Sequence, residues 1–137
     1  MPVNPAILDG LSQQPEEIRD LIAKFSLAKE NRPAMLAPLR ASLDEVNTQV
    51  LLNDLKACNQ MNLADEISKI RVPALIICGT EDKMTPVEAS RRIAAGIAGS
   101  ELLLIEGAGH MVMMEKPSAL NKAIRDFAAS LPQVIHA

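Results

Sequence analysis

The sequence predicts an α/β chain: a helical N-terminal half over residues 15–66, then a β-α-β-α unit over residues 67–131. Three observations predict it. Two short apolar runs, Ala74 to Cys78 and Leu102 to Ile105, lack the polar alternation of a half-exposed strand; Gly79 follows the first directly and Gly107 follows the second after Glu106. Such runs read as parallel strands buried on both faces. Helical sequence separates the two runs, and most of the chain before them repeats its apolar residues at helical spacing.

A single domain is expected, since 137 residues make room for one core. Residues 1–14 carry Pro2, Pro5 and Gly10 with little periodicity and read as a flexible lead-in. A first helix is expected from Pro15, with Glu16 and Glu17 at the positive end of its dipole and an apolar stripe of Ile18, Leu21, Ile22, Phe25 and Ala28. Asn31-Arg32-Pro33 breaks it. Met35, Leu36, Leu39 and Leu43 suggest a second helix disturbed by Pro38. Ser42 and Glu45 have capping-box spacing for a third helix to about Asn59, with the stripe Val46, Val50, Leu51, Leu55 and Cys58. Met61 to Ile70 reads as a connector with a short turn at Leu63 to Ser68.

After the first strand, Thr85 reads as an N-cap, Pro86 as the first helical residue and Glu88 as the end of a capping box. The last helix is expected from Pro117, with Leu120, Ile124, Phe127 and Leu131 on one stripe and Pro132 stopping it; residues 132–137 form a tail.

Composition removes several function classes. With two phenylalanines and no tyrosine or tryptophan, the chain has no stacking platform for nucleic-acid bases. Its 14 basic and 17 acidic residues give a net charge of −3 and no basic tract, so neither nucleic acid nor an anionic membrane is an expected partner. No run reaches the roughly 20 apolar residues of a membrane helix, and no secretory signal pattern opens the sequence; a cytoplasmic chain is expected. Cys58 and Cys78 read as reduced thiols in the core. Scattered histidines and cysteines give no metal-ligand spacing. Gly107-x-Gly109 lacks the third glycine of a dinucleotide loop, with Val112 in its place, so no cofactor is expected.

The chemistry is carried by Asp82 and His110. Each follows one of the two strands, and open parallel sheets place their sites at the carboxyl ends of strands. An acid and a histidine on neighbouring strand ends can hydrogen-bond, which is the orienting half of a nucleophile-base-acid triad. An aspartate in that position also serves as a turn former or helix cap, a task that Thr85 is placed to take. Glu81 is expected to face solvent.

Residues 72–86, Val-Pro-Ala-Leu-Ile-Ile-Cys-Gly-Thr-Glu-Asp-Lys-Met-Thr-Pro, followed by Gly107-Ala-Gly-His-Met and Glu115-Lys116-Pro117, resemble the C-terminal part of an α/β-hydrolase. The resemblance spans roughly residues 67 to 131, and the helices before it resemble the cap such enzymes insert ahead of their last strands. It implies that Asp82 is the triad acid, His110 the base, and the parent activity the hydrolysis of carboxylic esters or similar small acyl substrates. The family's Gly-x-Ser-x-Gly nucleophile motif and its oxyanion loop do not occur in these 137 residues. Ser12, Ser26, Ser42, Ser68, Ser90, Ser100 and Cys58 all lack the glycine-flanked elbow that exposes a nucleophile.

The expectation is therefore a truncated hydrolase-family chain, inactive in isolation. The alternatives are a non-catalytic oligomeric or small-ligand-binding module, and one half of a split enzyme. A lone pair of parallel strands leaves a Val/Ile/Leu-rich edge unpaired. Self-association, as a homodimer through Ala74 to Cys78 or by helix exchange, is expected to complete it.

Overall fold

A computed structural model describes residues 3–132. The first element among the described residues is a helix, where the sequence suggests a flexible lead-in: α1 spans Pro5–Gln13. Asn4 caps it by accepting from the Ala6 nitrogen at 3.0 Å, and Pro5 stands in the first turn, where its missing N–H costs nothing. Gly10 makes room for Ile18 of the next helix; a Cβ there would meet the Ile18 side chain at 2.5 Å. Leu11 is buried.

Helix α2 (Pro15–Ser26) starts where expected but turns a different face inward. Arg19, Ile22, Ala23 and Ser26 are buried, at i, i+3, i+4 and i+7, while Phe25 of the expected stripe is 43% exposed. The helix stops at Ser26, and Leu27 and Ala28 continue as buried extended chain. A short 3₁₀ turn, Lys29–Asn31, leads into α3 (Arg32–Asp44). Pro33 lies in its first turn, and Pro38 is carried inside it.

The expected Ser42–Glu45 cap is not used. Ser42 remains inside α3 and donates its hydroxyl to the Pro38 carbonyl at 3.2 Å. Asn47 caps α4 (Thr48–Gln60), accepting from Gln49 and Val50 nitrogens at 2.8 and 3.4 Å. The buried position of α4 is Leu52, whereas Val50 and Cys58, both expected inside, are exposed. Buried Arg19 reaches across from α2 to this corner. Its guanidinium donates to the Leu43 carbonyl, to the Val46 carbonyl at 2.7 Å and to the Thr48 hydroxyl at 2.9 Å. These carbonyls sit at the negative end of α3, so a buried cation is favoured there.

After α5 (Ala64–Ile67) the chain enters β1 (Leu75–Gly79), crosses through α6 (Val87–Gly96) and returns as β2 (Glu101–Ile105). The strands pair in parallel, with Leu75 opposite Glu101 and Gly79 opposite Ile105. Within this two-stranded sheet only Cys78, Gly79 and Ile105 are buried; burial of both faces along the full runs, expected from their composition, is absent among the described residues. A short helix α7 (Val112–Glu115) and a long one, α8 (Pro117–Ser130), are the last elements among the described residues. Of the expected tail, residues 133–137 lie outside the described residues, as do residues 1–2 of the expected lead-in.

Two apolar clusters flank the loop between β2 and α7. Ala23, Leu27 and Leu39 form one, with Met111 and Met114 packed on it; Ile105, Ala108 and Val112 form the other, with Ile77 and Leu120. Fully burying a residue such as Leu27 contributes about 1.5–3 kcal/mol. The methionines thus seat the helical half on the loop that carries His110.

Candidate active site

Strand β1 ends at Gly79 because nothing larger fits: a Cβ there would run into the carbonyl oxygens of Ala108 and Gly109. That close approach lets the two strand-end loops bond directly. Thr80 nitrogen donates to the Ile105 carbonyl at 3.0 Å and Glu81 nitrogen to the Ala108 carbonyl at 2.9 Å. Gly107 nitrogen donates to the Thr80 hydroxyl at 3.1 Å. Gly107 itself adopts φ +64°, which favours glycine at the turn out of β2.

Asp82 divides its carboxylate between two tasks. Oδ1 accepts from the Met84 and Thr85 nitrogens, both at 2.8 Å, and so shapes the turn. Oδ2 accepts from the Thr85 hydroxyl and from His110 Nδ1, both at 2.9 Å. Turn former and histidine partner are therefore one residue. Thr85 does not cap the following helix, as its spacing had suggested. That helix begins at Val87, and the Thr85 hydroxyl is spent on Asp82, 3.2 Å from Nδ1.

The environments of the two partners differ. The Asp82 side chain is 5% exposed and that of His110 39%. Burial pushes the Asp82 carboxyl up, but hydrogen bonds from His110 and from the Thr85 backbone and hydroxyl outweigh it and hold the group below the usual carboxylate range. For His110, the hydrogen bond to Asp82 raises the imidazole above its ordinary value, burial opposes this, and the carboxylate charge adds to the rise. With Nδ1 donating to Asp82, the neutral ring has its lone pair on Nε2, the atom a general base uses.

His110 is also held through its backbone. Its nitrogen and that of Met111 both donate to the Ser26 carbonyl, at 2.9 and 3.1 Å. The buried Glu115 carboxylate accepts from Gly109 nitrogen at 2.8 Å through Oε1, and from Ala28 nitrogen at 2.8 Å and Asn31 Nδ2 at 2.7 Å through Oε2. Asn31 Nδ2 also donates to the Gly107 carbonyl at 2.9 Å. Sequence reasoning assigned no task to Thr85 at the carboxylate, to Asn31 or to Glu115. For Glu115 a signal existed: it ends the apolar run Met111 to Met114, where a carboxylate must find donors or stay in water.

Among the described residues, no side chain of a candidate nucleophile hydrogen-bonds to Asp82 or His110. Ser26 lies beside His110 by its backbone, but its hydroxyl turns back to the Ile22 carbonyl at 2.8 Å. Ser100 donates to the Ala94 carbonyl at 3.0 Å. Cys58, the one thiol among those candidates, is exposed on α4. Among the described residues no cluster of three or more His, Cys, Asp or Glu could hold a metal, and no helix is long and apolar enough to cross a membrane.

A family model described as alpha/beta hydrolase fold matches residues 12–117. Human (Homo sapiens) monoacylglycerol lipase ABHD6 is 29% identical over 121 residues, covering 85% of this chain and 36% of the lipase. Among solved structures, a thermophilic esterase superposes with a TM-score of 0.82 at 35% identity, over 93% of this chain and 51% of the esterase. The enol-lactonase from Burkholderia xenovorans LB400 superposes with a TM-score of 0.82 at 23% identity, over 90% of this chain and 49% of the enzyme. The chain thus spans about a third of the lipase it matches and about half of these two solved structures.

Proposed function

Since the chain belongs to the α/β-hydrolase fold family, we propose that Asp82 and His110 act as orienting acid and general base in Ser-His-Asp hydrolysis of carboxylic esters or similar small acyl compounds. The observation that carries this reading is the 2.9 Å bond from His110 Nδ1 to the buried Asp82 Oδ2. His110 Nε2 takes the proton of a serine hydroxyl as its oxygen attacks the acyl carbon, and returns that proton to the departing alkoxide. Water then attacks the acyl-enzyme, giving its proton to Nε2, and the serine leaves with that proton restored. Asp82 keeps the imidazole in the productive tautomer and stabilises the imidazolium at each stage.

The serine is proposed to come from outside these 137 residues, which contain no Gly-x-Ser-x-Gly. By itself the chain is then inactive. A chimera tests this: the part of the thermophilic esterase that precedes its matched half is fused ahead of this chain. Turnover of p-nitrophenyl acetate and labelling by a fluorophosphonate are expected in the chimera. Turnover should fall about 10²–10⁴-fold in His110→Ala. A folded chimera that turns over equally well with His110→Ala would sink the assignment. Labelling of the chain alone, lost in His110→Ala, would place the nucleophile among its own serines.

A non-catalytic, self-associating module is the second reading, favoured by one observation. Among the described residues β1 is paired along one side only, by β2. A second copy pairing antiparallel through the open side would give a four-stranded sheet. Light scattering at micromolar concentration decides: a dimer that Ile76→Pro turns into a folded monomer supports this reading, and a wild-type monomer removes it.

A further inference from the structure

Glu115 is buried to 6% exposure, yet nothing in the hydrolytic chemistry calls for it. A carboxylate withdrawn from water needs compensation, and Glu115 obtains it from amide donors on two distant parts of the chain. One is Gly109, the residue before the candidate base; the others, Ala28 and Asn31, lie in the joint between α2 and α3. That same joint accepts from His110 and Met111 through the Ser26 carbonyl, and reaches Gly107 through the Asn31 amide. Both ends of the loop from Gly107 to Glu115 are thereby fastened to the base of the helical half. The loop cannot shift along this surface without uncovering a buried charge.

We propose that Glu115 is a positioning residue for His110: its carboxylate locks the histidine loop onto the joint at Ala28–Asn31, so that the seating of the helical half sets where the imidazole stands against Asp82. It rests on the reading of His110 as the base, and it adds how that base is aimed. A shift of the loop by a fraction of an ångström would lengthen the bond between His110 and Asp82, because the Asp82 carboxylate is held within its own turn by the Met84 and Thr85 nitrogens. A carboxylate that merely satisfied local donors would have no such effect on the imidazole.

The test is a pH titration of the His110 ring by proton NMR, in the intact chain and in four variants, with circular dichroism to verify folding. Asp82→Asn first measures how much of the His110 elevation comes from Asp82. Glu115→Ala is expected to lose most of that elevation, and Glu115→Gln part of it, since an amide has one acceptor where the carboxylate uses two. Asn31→Ala keeps the Glu115 charge but removes a tether, and a smaller downward shift is expected. An unchanged titration in a folded Glu115→Ala would overturn the proposal. So would a shift in both Glu115 variants with none in Asn31→Ala, for then the charge alone is felt. Should Glu115→Ala fail to fold, Glu115→Gln and Asn31→Ala decide by the same rule. If Asp82→Asn leaves His110 unmoved, it is the acid-base pairing that fails, a result separate from any concerning Glu115.

Discussion

Gly109 and Ala28 touch backbone to backbone: a Cβ on Gly109 would stand 2.6 Å from the Ala28 nitrogen and 2.8 Å from the Leu27 carbonyl carbon. The contact brings residues 81 positions apart in sequence into one joint, directly before His110. It also explains why small residues precede the histidine, beyond the tight turn that the sequence suggested.

Gly109→Ala should therefore destabilise the fold by about 1–3 kcal/mol, the usual cost of overpacking a closed contact. Urea unfolding measures it. The His110 ring resonance should shift in the same variant, because the loop has to move away from Ala28. Unchanged stability together with an unchanged resonance would contradict the contact.

The ion pair gives stability a pH dependence with a definite sign. His110 has a raised folded value, so its contribution is complete below the unfolded value of about 6.5 and is lost as pH rises through the folded value. Asp82 has a lowered folded value, so its contribution is present above about 3.9 and is lost as pH falls through the folded value. The stability advantage of wild type over Asp82→Asn should thus be larger at about pH 5.5 than at about pH 9. Paired urea melts at the two pH values check this.

Thr85→Val removes one of four hydrogen bonds on the Asp82 carboxylate and leaves the two backbone donors and His110 in place. The Asp82 carboxyl should titrate higher than in wild type, followed by carbon NMR of the carboxylate. At neutral pH the loss should be about 0.5–1.5 kcal/mol. An unmoved Asp82 would mean that the hydroxyl does not bond to the carboxylate.

Arg19→Met removes the guanidinium from the Val46 carbonyl and the Thr48 hydroxyl at the corner between α3 and α4, and from the Leu43 carbonyl, which keeps the Val46 nitrogen at 3.3 Å. Losing a hydrogen bond to a charged group costs about 1.5–3 kcal/mol. The urea midpoint should fall with an unchanged slope, since the surface exposed on unfolding stays the same.

Much of the plan was legible in the residues themselves. Pro15 and Pro117 mark helix starts because a proline needs no N–H there, and the apolar runs ending near Gly79 and Ile105 are the two strands. Asp82 and His110 follow those ends, so a strand reading alone brings them to one place. These are local properties, and local chain geometry decides them. The inward face of α2 was a different matter: Ala23 and Arg19 are inside and Phe25 outside, because the packing of α1 and α3 determines which stripe is covered. Likewise Asn47 took the cap from Ser42, since α3 runs on through Asp44. Glu115 shows the limit most clearly. Its donors are 6, 84 and 87 residues away, and no spacing along a sequence reports a hydrogen bond that exists only once the helical half has closed onto the loop.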